Sequence, residues 1–279
     1  MMVDANSSVG ACSLNEDVSR DARVAGIRRR IIEISYVAKS AHLGSSLSSV
    51  EILDAIIGAS GVNAENVEAP DRSRLVMSKG HAAMAFYAAL EAWKLIPKIH
   101  LDHYLEDGTC LWGHVTRSPD VPAIDVSTGS LGHGLSLTAG YGLGYRLRSW
   151  RSRLFCVLSD GECDEGSTWE AALFAGHHRL NNVVACVDFN NIQSLDRVSN
   201  VLELEPFADK WRSFNWNVHE VDGHDWRAID AVLNTPPLDR PLVILAHTVK
   251  GKGIPRIEDT VGSHYHPAQD ADRVGVSDA

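Results

Sequence analysis

The sequence has no run of about 18 apolar residues, so no segment reads as a transmembrane helix. Met1 to Asp17 lack the basic start and apolar stretch of a secretory signal. No Cys-x-x-Cys pair occurs among the five cysteines at 12, 110, 156, 163 and 186, which argues against a zinc cage and a redox dithiol. An odd cysteine number with no export signal reads as reduced thiols in the cytoplasm. Basic residues are in deficit: 26 Lys and Arg against 36 Asp and Glu give a formal charge of −10. That balance disfavours a nucleic-acid surface, so neither nucleic acid nor membrane is expected as a partner. Internal repeats and low-complexity runs are also lacking.

What remains is an ordinary globular composition, 44% hydrophobic and 22% charged over 279 residues. Residues 1–17 are polar and read as a mobile leader. Residues 18–279 read as a single domain ending in a polar tail. Val24, Ile27, Ile31, Ile34 and Val37 recur at helical spacing and predict a helix over 18–39. A turn at 42–46 precedes a second helix capped by Ser48 or Ser49, and 81–95 reads as a third. Further on, the apolar runs 153–159, 182–188, 217–221 and 241–248 read as strands. Helical pieces at 167–179 and 225–233 lie between them, and Pro236-Pro237 marks a loop. Strands alternating with helices predict an α/β fold, a parallel sheet with helices on both faces.

Ligands of such sheets bind outside the carboxyl ends of the strands. One strand ends in Ser159-Asp160-Gly161-Glu162, another in Asp188-Phe189-Asn190-Asn191-Ile192. Asp160 and Asn190 are thirty residues apart, enough for a strand–helix–strand crossover that sets them side by side. A carboxylate and an amide oxygen are hard ligands, suited to magnesium or calcium with phosphate oxygens completing the shell. Singly, Asp-Gly is a turn and Asn-Asn a loop. Together at strand ends they favour a metal–diphosphate site.

The stretch Ser159-Asp-Gly-Glu-Cys-Asp-Glu165-Gly-Ser-Thr-Trp-Glu170, with Asp188-Phe-Asn190-Asn191, resembles the thiamine diphosphate motif of transketolases. Ser159 replaces the first Gly of that motif, a change that bears on the loop beneath the diphosphate. Lys39-Ser-Ala-His42-Leu-Gly-Ser45 is similar to another family segment, with Leu43 in place of Pro. Met77-Ser-Lys-Gly-His81, Gly113-His114 and Thr128-Gly-Ser-Leu-Gly-His-Gly134 follow in the family's order. So do Val221-Asp-Gly-His224-Asp and Thr248-Val-Lys-Gly-Lys-Gly253. The resemblance covers roughly residues 18–268. It implies a thiamine diphosphate-binding fold and the N-terminal, diphosphate-binding subunit of a split transketolase.

The same resemblance implies the roles. Asp160, Asn190 and the main-chain oxygen of Ile192 hold magnesium, or calcium or manganese. Gly129 and Leu131 line the cofactor through their backbones, and Gly161 donates its N–H to the diphosphate. His42, His81, His114 and His264 surround the thiazolium, the diphosphate and the reacting sugar carbons, with His266 an alternative to His264. Neutral imidazoles suit that work because each donates one hydrogen bond and accepts another. Glu165 and Glu170 have two readings: acids at a helix N-terminus, or interface acids linking two active sites. Cys163 receives no role.

The implied reaction transfers a two-carbon unit from a ketose to an aldose. The implied partner is a C-terminal subunit carrying the pyrimidine-binding domain, in a heterotetramer with two copies of each chain. Two rivals stand beside it. One is the α subunit of a thiamine diphosphate-dependent 2-oxoacid dehydrogenase, against which the sugar-contacting histidines argue. The other is a cofactor-binding subunit without turnover.

Overall fold

The computed structural model describes residues 8–236 and 239–274. The first seven residues of the expected leader, Pro237 and the last five residues of the tail lie outside them. The helices are α1 (Ser8–Ala38), α2 (Leu43–Leu47), α3 (Val50–Ser60), α4 (Ala83–Ala92), α5 (Lys98–Asp102) and α6 (Gly134–Leu147). They continue as α7 (Gly166–His177), α8 (Val198–Val201), α9 (Phe207–Ser213), α10 (Trp226–Leu233) and α11 (Asp270–Val274). The strands are β1 (Arg74–Met77), β2 (Leu154–Ser159), β3 (Val183–Phe189), β4 (Asn217–Asp222) and β5 (Leu242–His247). All pair in parallel in the order β1-β2-β3-β5-β4.

The sheet is covered on both faces, and its central strands show why their sequences are continuously apolar. Phe155, Val157, Val184, Cys186, Ile244 and Ala246 pack into one core with α1, α3 and α4. The alternate residues Cys156, Leu158, Ala185, Val187, Val243 and Leu245 pack into a second core with α6, α7 and α9. Every residue of β2 and β3 is buried, as expected when successive side chains enter opposite cores.

The expected helix over 18–39 begins earlier, at Ser8. The expected turn at 42–46 is mostly α2, a five-residue helix buried throughout. His42 precedes it at φ 68°, a left-handed conformation that His adopts more readily than most residues. Leu43 then occupies the first helical position, where Pro is also well suited. Its side chain is fully buried, so the change from Pro keeps the helix start and adds to the core. Ser49 stands at the N-cap of α3, but its hydroxyl donates to Ser45 O at 2.9 Å instead of capping the helix.

Candidate functional site

β2 and β3 lie side by side, with Ser159 opposite Asp188. Their carboxyl ends therefore deliver Asp160 and Asn190 to one rim of the sheet. There a cleft of about 200 Å³ is lined by His42, His81, His114 and His264, together with Gly129, Leu131, Asp160, Gly161, Asn190 and Ile192. Ten of the eleven residues expected at the site thus meet in one place. Glu165 is the exception: it is exposed and packs its side chain beside Gly132. His266 is also exposed and does not line the cleft.

The histidines form a cluster around His42. Its ring centroid lies 4.8 Å from His264, 5.4 Å from His114 and 5.6 Å from His81. Two backbone features bring His264 in. His42 N–H donates to His264 O at 2.8 Å, and the turn Val261–His264 presses on Gly44. A Cβ on Gly44 would stand 2.3 Å from Ser263 Oγ, so only glycine permits that approach. Burial, with His114 and Lys250 adding repulsion, pushes His42 down to about 4. Burial and Lys250 push His264 down to about 3, and burial and Lys79 push His81 well below its usual value. These three rings are neutral at physiological pH, each able to donate one hydrogen bond and accept another.

The two buried aspartates differ in their compensation. Asp188 receives the ammonium of Lys79, the hydroxyls of Ser48 (2.6 Å) and Thr248, and the Asn190 amide at 3.2 Å. Burial pushes its carboxyl up, but Lys79 and these donors outweigh burial and leave it below its usual range. Asp160 is 1% exposed and, among the described residues, has no Lys or Arg partner. It accepts only backbone N–H groups, from Gly161 at 2.7 Å and Asn191 at 2.6 Å. Burial, aided by the Asp188 charge, pushes its carboxyl up to about 7. An uncompensated buried carboxylate beside an amide oxygen and a main-chain carbonyl fits a hard divalent cation. The Asn190 side-chain amide is oriented for this: its nitrogen donates to Asp188, leaving its oxygen as the acceptor, which takes Ile192 N–H at 3.1 Å.

Sequence reading missed the cations of the cleft. Lys250 is 2% exposed, and its ammonium donates to Ile192 O at 3.0 Å and Gln193 O at 3.1 Å, and lies 3.4 Å from His264 Nδ1. Burial and the neighbouring Lys79 push it down to about 8. A buried ammonium with only carbonyl and imidazole partners suits an anionic ligand such as a diphosphate. Both lysines sit inside the motifs noted in the sequence. What was missing was a signal to separate Lys250 from Lys252, or to show which lysine a carboxylate already holds. Gln193 and Ser194 also line the cleft.

Ser159, the departure from Gly, has a clear local function. Its hydroxyl accepts the N–H of Glu162 at 3.2 Å and so closes the turn Gly161–Asp164. Glu162 in turn is fully buried and accepts from Ser78 and from Gly132 N–H at 2.8 Å, tying the Gly129–Gly132 loop to the Asp160 turn. Gly161 N–H points at Asp160 Oδ1, not into open space.

The family model described as "Transketolase, thiamine diphosphate binding domain" matches residues 19–276. The 6-deoxy-6-sulfo-D-fructose transketolase subunit SqwG of Clostridium sp. is 37% identical over 251 residues, covering 89% of this chain and 90% of that protein. A subunit of the apulose-4-phosphate transketolase of Phocaeicola vulgatus is 35% identical over 243 residues, covering 85% of each. Among solved structures, a Pichia stipitis transketolase in complex with sedoheptulose 7-phosphate superposes with a TM-score of 0.85 at 24% identity. That likeness carries the fold; it takes in 92% of this chain and 40% of that one. The thiamine diphosphate-binding fold expected from the motifs is therefore the fold found, and the chain belongs to the transketolase family through its thiamine diphosphate-binding domain.

Proposed function

We propose that this chain is the diphosphate-binding subunit of a two-chain transketolase, which moves a two-carbon ketol unit from a ketose to an aldose. The observation that carries the reading is the convergence of four histidines with Asp160, Asn190 and Lys250 in one cleft at the carboxyl rim of the sheet. Relatives named for a phosphorylated and a sulfonated sugar support a ketose with an anionic far end, most simply a phosphate.

Asp160, Asn190 and the Ile192 carbonyl would hold a magnesium ion, or calcium or manganese in its place. Lys250, His81 and His264 would face the diphosphate, while Gly129 and Leu131 line the cofactor through their main chains; Gly161, whose N–H is held by Asp160 Oδ1, would lie beside it without donating that N–H. Thiamine diphosphate, when bound, supplies the electron sink that lets the ketose C2–C3 bond break. His42 and His114 then orient sugar hydroxyls and pass protons at those oxygens, a task to which imidazoles are suited. Glu165 and Glu170, both exposed beside the cleft's turn, serve the interface between chains in this reading.

Among the described residues lining the cleft, Asp160 is the sole carboxylate. None of the other described residues lining the cleft is an acid that could protonate the aminopyrimidine end of the cofactor. That group would come from a C-terminal subunit carrying the pyrimidine-binding domain, docked so that the cofactor lies between the chains. The relatives named as subunits, nearly the length of this chain, support that division. Two copies of each chain in a heterotetramer follow from closed two-fold symmetry. The chain is expected to be inactive alone in a ketose-to-aldose transfer assay and active once the partner is added. Full turnover by the purified 279-residue chain would refute the division of labour.

A further inference from the structure

The loop that follows β5 carries Lys250, and it is gripped by a chain of side chains that never reaches the cleft. Val249 N–H donates to His224 Nε2 at 2.8 Å. That nitrogen must be unprotonated, which puts the ring proton on Nδ1, 3.1 Å from Glu51 Oε2. The other Glu51 oxygen accepts from Arg28. Arg28 returns to the same loop, donating to Lys252 O at 2.7 Å, and to Leu47 O at 2.9 Å. The loop's own backbone leaves it little room. Gly251 N–H donates to Gly44 O at 3.0 Å, and Gly251 and Gly253 have φ of 83° and 96°.

The three side chains come from α1, α3 and the turn between β4 and α10, and all are largely buried at 12%, 7% and 14% exposure. A buried carboxylate held by an arginine on one side can fix an imidazole tautomer on the other. Lys250 has no carboxylate partner to aim it among the described residues. Two carbonyls, Ile192 O and Gln193 O, take its ammonium, and the backbone of residues 249–252 sets where the side chain starts toward them.

We propose that His224 is a positioning residue for Lys250: locked by Glu51, it fixes the Val249 amide and so aims the Lys250 ammonium into the cleft. The proposal rests on the reading that the cleft takes a diphosphate, and it names a device outside the cleft on which that binding depends.

Two measurements on the full chain with its partner test it. The first is hydrogen exchange of the 248–253 amides without cofactor, in wild type, His224→Ala and His224→Gln. Faster exchange confined to this loop in H224A is expected, with H224Q restoring protection because its amide oxygen reaches the position of Nε2. The second is thiamine diphosphate affinity at fixed magnesium in wild type, H224A, Lys250→Met and the double variant. H224A and K250M should each weaken binding by about 10-fold or more, as is usual for residues that orient a ligand-holding group. If His224 acts through Lys250, the double variant should match K250M within about twofold. Unchanged exchange in H224A, or losses that multiply in the double variant, would overturn the proposal. A wild-type assembly that binds no thiamine diphosphate would instead refute the functional reading, while the exchange result still decides whether His224 holds the loop.

Discussion

Replacing Asp160 by Asn should abolish the gain in thiamine diphosphate affinity that magnesium confers. Asp160 is buried, lacks a cationic side-chain partner among the described residues, and faces the cleft beside Asn190 and Ile192. A bound cation would be its compensating charge. Charged hydrogen bonds and their ionic equivalents are worth about 1.5–3 kcal/mol each, so losing the anionic ligand should weaken binding by roughly 10- to 10²-fold. Asn is the informative substitution because it keeps the shape and one backbone N–H acceptor. Asn gives up one acceptor, at about 1 kcal/mol, but it also removes a buried carboxylate that burial pushes up to about 7, so the protein without cofactor should melt no lower than wild type near neutral pH. Titration of cofactor with and without magnesium, with the partner present, reads the effect. Equal and metal-dependent affinity in both proteins would show that the cation is held elsewhere.

Removing the imidazoles of His42 and His114 should leave cofactor affinity nearly intact while turnover falls by about 10²–10⁴-fold, the usual scale for a positioned acid–base group. The substitutions must respect the backbone. His42 sits at φ 68°, so His42→Asn, which tolerates that conformation, removes the ring without adding strain. His114 is exposed, and it is its main-chain oxygen, not its ring, that accepts from Tyr87 at 3.1 Å, so His114→Ala should fold normally. Neither ring makes a hydrogen bond to protein among the described residues, leaving both available to substrate. His264, by contrast, lies near Lys250 and Ser45. If H42N and H114A lose cofactor or melt many degrees lower, their rings support the fold and the assignment fails.

Much of this site was legible because its chemistry lies at strand ends. β2 and β3 are apolar over most of their lengths and end in polar residues, so strand identity and ligand position came from the same few residues. Other elements were hidden for physical reasons. β1 has only four residues, too few to show a period. α6 contains Gly134, Gly140, Gly142 and Gly144, which mask a helix in any propensity reading; a Cβ on Gly142 would stand 2.6 Å from Val183. α2 is a buried Leu-Gly-Ser-Ser-Leu segment that only tertiary contacts make helical. Charge compensation was also invisible: nothing local says that Lys79 belongs to Asp188 across 109 residues while Asp160 pairs with no Lys or Arg among the described residues. The exposed position of Glu165, one residue before α7, leaves both of its readings in place.

The central claim is the class of reaction, two-carbon transfer from a ketose by a cofactor held in this cleft. It is tested most directly with a ketose labelled with ¹³C at C1 and C2, incubated with an aldose, thiamine diphosphate, magnesium and both chains. The account predicts that the label appears at C1 and C2 of a ketose two carbons longer than the acceptor, with none released as carbon dioxide. Release of carbon dioxide from a 2-oxoacid by the same assembly, with the labelled ketose untouched, would contradict it.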